Sequence, residues 1–122
     1  MFSKLTQKSD EKASNLIKDL DLIQQYVLLG IYRLPHRGIS RLVSIKNEVI
    51  ITNESEIRSV IPDGCPEFDI ADIVDRLYAE GLLTKFPGKN ETRYEPSYEG
   101  ELAALYIGDL DERVNPSHKT NA

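Results

Sequence analysis

Residues 69–86 read Asp69-Ile-Ala-Asp-Ile-Val-Asp-Arg-Leu-Tyr-Ala-Glu-Gly-Leu-Leu-Thr-Lys-Phe86. Ile70, Ile73, Val74 and Leu77, with Tyr78 and Gly81 beside them, share one face of a helix, while Asp72, Asp75, Arg76 and Ala79 occupy the other. Asp69 stands where a capping carboxylate belongs. Gly81 follows the last turn and can adopt the left-handed conformation that ends a helix, so that Leu82 and Leu83 turn back onto the core. Thr84-Lys85-Phe86 then reads as a strand, Pro87-Gly88 as a type II turn, and Thr92 to Glu95 as the returning strand. The segment is a helix with a hairpin directly after it.

Downstream, Ser97 is placed to cap a final helix with Glu99 and Glu101 in its first turn and Tyr98, Leu102, Leu105 and Tyr106 as its apolar stripe. Upstream, Leu16, Leu20, Ile23, Val27, Ile31 and Leu34 recur at helical steps and predict one helix, stopped by Pro35. Its run Tyr26 to Tyr32 is apolar all round, which places it centrally, and Gly30 permits a close neighbour. Residues 39–52 fit either a hairpin or one amphipathic helix, with strand favoured for Val49 to Thr52. Asn53 then reads as the N-cap of a short helix reaching about Ile61, ended by Pro62-Asp63-Gly64.

The 122 residues suit one domain over 13–108, with polar tails at 1–12 and 109–122. A hydrophobic fraction of 40% can build a core. The single cysteine, Cys65, leaves no internal disulfide and no Cys-rich zinc motif, as expected in a reducing, cytoplasmic setting. Neither a secretory leader nor a membrane span is legible. A net charge of -5 argues against a protein held to nucleic acid by bulk charge, though not against a local basic patch.

The order helix, strand, short helix, turn, amphipathic helix, hairpin, helix resembles that of winged helix-turn-helix regulators. The resemblance is carried by Leu77-Tyr-Ala-Glu-Gly81-Leu82, which matches a Leu-x-x-x-Gly-Leu step before the wing, and by Ser97-Tyr-Glu-Gly100, which matches a Ser-x-x-Gly start of the last helix. It covers about half of the chain by motif and the rest by element order. It implies an α+β, mainly α fold with a three-helix core, a β-wing and an extra C-terminal helix. It also implies binding of double-stranded DNA, with the helix in the major groove and the wing on the backbone.

The charge pattern departs from that expectation. From Pro66 to Leu83 there are five acids, Glu67, Asp69, Asp72, Asp75 and Glu80, and one base, Arg76, so phosphates repel this helix. Positive charge lies elsewhere. Arg33, Arg37, Arg41 and Lys46 fall in a stretch with no acid, and the wing carries Lys85, Lys89 and Arg93. The candidate DNA contacts are therefore Arg37, Arg41, Lys85, Lys89 and Arg93, with Arg76 as base reader. Two structural readings compete: that these bases are simply solvated, or that they neutralise the acidic helix within the protein or across a dimer. A docking module using Asp72, Asp75 and Glu80 against a basic protein is the functional alternative.

Catalytic chemistry has little support. His36 and His118 are the only histidines, Gly88-Lys89-Asn90 lacks the rest of a phosphate-binding loop, and Asp69, Asp72 and Asp75 drift round the helix instead of converging on a cation. No metal, cofactor or enzymatic activity is expected. The tyrosines read as core or interface residues whose hydroxyls reach water. Apolar surplus at Leu22, Tyr26, Leu29 and Tyr106 suggests a two-fold dimer through the first and last helices.

Overall fold

A computed structural model describes residues 11–114. His118 and most of the two expected tails lie outside the described residues. Residues 11–17 form helix α1. There follow α2 (Leu22–Arg33), β1 (Ile39–Val43), β2 (Val49–Ile51), α3 (Glu54–Arg58), α4 (Ile70–Ala79), β3 (Leu83–Pro87), β4 (Glu91–Pro96) and α5 (Tyr98–Val114). The fold is α+β, with five helices and one antiparallel sheet in the order β2-β1-β4-β3 among the described residues. No helix among them is long and apolar enough to cross a membrane.

The single helix expected from Leu16 to Leu34 is two. The chain breaks at residues 18–20, and Asp21 starts α2 with a capping box: its carboxylate accepts from the Gln24 N–H at 2.8 Å, and the Gln24 side chain accepts from the Asp21 N–H. The apolar period runs through the break because both pieces face one core, but a local Asp-x-x-Gln pair satisfies the orphan N–H groups better than continued helix does. Leu28, Leu29, Ile31 and Val27 are fully enclosed, and Gly30 admits Val60 and Ile57 at close range.

Residues 39–52 resolve as a hairpin, with β2 one residue shorter than expected. Asn53 does not cap α3 through its side chain. It sits in the left-handed region at φ 59, and only its carbonyl enters the helix, accepting from the Ile57 N–H. The helix is also shorter than expected, closing at Arg58.

At α4 the reading of residues 69–83 holds except at Tyr78 and Gly81, which are exposed and do not extend the buried face. Asp69 accepts from the Ala71 N–H at 2.9 Å, Ile70, Ile73, Val74 and Leu77 are buried, and Gly81 has φ +80. Leu82 N–H donates to Leu77 O and Gly81 N–H to Tyr78 O, the paired bonds of a Schellman ending. Leu82 is fully buried, and its carbonyl becomes a fixed point for the next helix. It accepts from the Ser97 N–H, and it lies where any Cβ on Gly100 would be 1.9 Å away. Ser97 Oγ caps α5 by accepting from the Gly100 N–H at 3.0 Å and donates to Gly81 O at 2.7 Å. The two glycines of the sequence signature are thus joined through one carbonyl and one hydroxyl.

Three other expectations change. Gly88 lacks the positive φ that a type II turn demands at its position, so Pro87-Gly88 is no such turn. Residues 88–90 form the loop, and Gly88 is needed because a Cβ there would be 2.5 Å from Glu91 O. Of the stripe Tyr98, Leu102, Leu105 and Tyr106, Tyr106 packs against the core, but the stripe as a whole is not the buried face. α5 instead buries Gly100, Ala103, Ala104, Ile107, Gly108 and Asp111, because small residues let it approach α2 closely. Tyr98 and Leu105 are left exposed. Finally, α5 runs on to Val114, through residues 109–114 of the stretch read as a tail, and 11–12 lie in α1.

That close approach bears on the tyrosine and dimer expectations. Tyr26 and Leu29 are 7% and 2% exposed, covered by α5, and Tyr106 is partly buried, so of the surplus invoked for a helix-mediated dimer only Leu22 stays exposed. The Tyr26 hydroxyl does not reach water. It donates to Asp111 Oδ1 at 2.8 Å in the interior. Burial first, then the hydrogen bond and charge of Asp111, push Tyr26 up from 10.0 to about 12.

Candidate functional site

The antiparallel registers decide which side chains share a face. Ile39 pairs with Tyr94 and Tyr94 with Lys85, while Arg41 pairs with Thr92 and Thr92 with Pro87. Ile39, Tyr94, Leu83 and Ile51 are buried, so this is the face that looks toward α4 and the core. Arg41 and Lys85 leave that same face further along the strands, past the cover of the helix. Together with Lys89 in the 88–90 loop, they line an open groove of about 450 Å³ whose other walls include Val43, Val49 and Tyr94. Glu91 is the one acid lining it.

Each base is held differently. Arg41 Nη1 donates to Asp75 Oδ1 of α4 at 2.9 Å, an ion pair partly open to solvent on both sides. Lys85 Nζ lies 5.3 Å from the centroid of the Tyr78 ring, which packs edge-on against Tyr94 at 6.2 Å and 74°. Lys89 is exposed and makes no salt bridge among the described residues. Tyr78 and Tyr94 are not among the residues that charge singles out. The two positions are joined only by strand register and helix docking, which sequence spacing does not encode.

The other three candidates lie apart from this groove or are tied up. Arg93 points to the opposite face of the sheet, where its Nε donates to Glu95 Oε2 at 2.7 Å and its Nη2 to His36 O at 2.9 Å. Its guanidinium occupies the space over Gly38, where a Cβ would be 2.5 Å from Nη2. Arg37, at φ 48 in the α2–β1 loop, stacks over Tyr32 at 4.6 Å. Arg76 on α4 pairs with Glu80 at 3.0 Å. Of the acids on that helix, Asp75 is turned to Arg41 and Glu80 to Arg76, and Asp72 is exposed without a salt bridge among the described residues.

The groove offers positive charge, amide and hydroxyl groups at Asn90 and Thr92, and low apolar walls. It suits an extended anion better than an enclosed small molecule. Among the described residues no three His, Cys, Asp or Glu side chains gather closely enough to hold a metal ion. No protein-family model, curated protein or solved structure matches the chain.

Proposed function

We propose that this chain is a winged-helix DNA-binding protein of the transcription-regulator type, which grips the duplex backbone with the groove between its hairpin tips. The winged-helix reading is supported by the pairing of β1 with β4 beside β3, by the placement of this hairpin directly after α4, and by the helix α5 that follows. Arg41, Lys85 and Lys89 act as phosphate contacts, supplied by β1, β3 and the loop between β3 and β4. Their convergence on one groove from β1 and from the β3–β4 hairpin, two segments far apart in the chain, is the observation that carries the reading. Arg76 does not serve as base reader in this scheme, since Glu80 neutralises it and Asp72 stands one turn away. Affinity is therefore mostly electrostatic and weakly dependent on base sequence. The lone Cys65 suits work in the reducing cytoplasm.

The test is fluorescence anisotropy with a random duplex over a range of salt. Wild type binds with an affinity that falls steeply as salt rises, and Lys85→Ala with Lys89→Ala flattens the slope of log K against log salt by about two units, at roughly 0.9 per lost phosphate contact. No binding at low ionic strength removes the reading.

A second reading, docking of a basic protein segment on α4, is favoured by the exposed Asp72 on a helix whose only base is already paired. Under that reading Asp72→Lys with Asp75→Lys abolishes retention on an immobilised basic peptide at an unchanged unfolding midpoint. Retention equal to wild type defeats it.

A further inference from the structure

The two edges of the sheet are built differently. β3 carries Lys85 and ends in Pro87, a charge and a missing donor that discourage another strand. β2, at the other edge, is Val49-Ile50-Ile51, with neither. Its hairpin exposes Val43, Ile45, Val49 and Ile50.

The hydrogen-bond pattern shows what that edge presents. Thr52 N–H donates to Ser40 O at 2.9 Å and Ser44 N–H to Glu48 O at 2.8 Å, while Leu42 is registered with Ile50. Bonded pairs alternate in an antiparallel ladder, so Ile50 directs its N–H and C=O to β1, whereas Val49 and Ile51 direct theirs outward. The free edge therefore offers two donors and two acceptors spaced as in a regular strand.

We propose that β2 pairs antiparallel with β2 of a second copy of this chain across a two-fold axis at Ile50, giving a continuous eight-stranded sheet. With Val49 opposite Ile51 of the second copy, and Ile51 opposite its Val49, all four outward groups on each strand are used, and Ile50 meets Ile50 in a close, non-bonded pair. An antiparallel strand pairing with itself is self-complementary, as a two-fold contact requires. No like charges meet, because residues 48–52 hold a single charge, Glu48, which falls opposite Thr52 of the second copy. The occupant is a copy of the chain because the edge is already complementary to itself in both backbone pattern and side chains. This interface uses neither helix of the dimer expected from sequence, and it does not rest on the nucleic-acid reading.

Sedimentation equilibrium of the full chain tests it. Wild type shows a doubling of mass with rising concentration. Ile50→Lys and Ile50→Glu each place like charges at the axis and weaken self-association by about a hundredfold or more, with circular dichroism unchanged because Ile50 is an exposed position. Mixing the two variants restores the dimer as a heterodimer, since the ammonium introduced in one copy then faces the carboxylate introduced in the other. A wild type that stays monomeric at its highest soluble concentration overturns the proposal. So does a dimer that survives Ile50→Lys, and so does a mixture that fails to reassociate.

Discussion

The helical body of the molecule and the distal ends of its two hairpins use their side chains in opposite ways. Where α2, α4 and α5 meet, positions are set by contact: Gly100 against Leu82 O, Gly108 against Leu29, Tyr26 bonded to Asp111. At the hairpin ends Val43, Ile45, Val49, Ile50, Phe86, Lys85 and Lys89 are exposed and do little to hold the fold. Exposed residues without a packing role are the ones whose chemistry is available to a partner. Substitution in the first region should thus cost stability, and in the second, binding.

The sharpest test of the first half compares two glycines of one helix. Gly100→Ala drives a methyl into a carbonyl that is itself hydrogen-bonded, and should cost roughly 3 kcal/mol or more in denaturant unfolding. Gly108→Ala meets only the ends of Leu29 and Arg33, at 3.3 and 3.5 Å, and should stay within about 1 kcal/mol of wild type because better helix propensity offsets the crowding. Equal losses would mean that the α5 contact with Leu82 is not the fixed point described.

Next comes Tyr26→Phe, which removes the link from α2 to Asp111 and should cost about 1 to 2 kcal/mol at neutral pH. Because the folded hydroxyl titrates at about 12, above its ordinary 10.0, its contribution is fully present below pH 10 and lost as pH rises toward 12, by roughly 2 to 3 kcal/mol over that window. The alkaline loss measured for wild type should exceed that of Tyr26→Phe by this amount. Parallel curves would contradict the buried bond.

At the boundary of the two regions lies Arg41–Asp75. Asp75→Ala should change stability by less than about 1 kcal/mol, as for other solvent-screened pairs. If the groove binds phosphate, the same change removes the carboxylate that competes for Arg41 and raises duplex affinity at a fixed salt concentration. Smallest of all on stability is Lys85→Ala with Lys89→Ala, expected within about 0.5 kcal/mol of wild type while binding falls. A large destabilisation there would make the bases structural and erase the contrast.

Much of the fold is legible where the deciding interactions are local. The Asp69 cap, the α4 stripe, Gly81 and the Ser97 cap each depend on neighbours within a few residues. The break before α2 is equally local, an Asp21–Gln24 box, but an apolar period that continues through it hides it. Size misleads at α5: large apolar residues suggest one stripe, whereas the buried one is mostly Gly, Ala and Ile because the helices lie close. Of six candidate bases, the structure gathers Arg41, Lys85 and Lys89 and sets Arg37, Arg76 and Arg93 elsewhere.

The sequence by itself determined the α+β character, both ends of α4, the end of α2, the starts of α3 and α5, and the excess of acid on α4, since caps, periodicity and charge are properties of short segments. Only the tertiary structure decided that Arg41 turns to Asp75, that Arg93 and Lys85 lie on opposite faces, and that β2 keeps an open edge. Those follow from strand register, in which a shift of one residue exchanges the two faces of a sheet, and register is fixed by how the whole core packs.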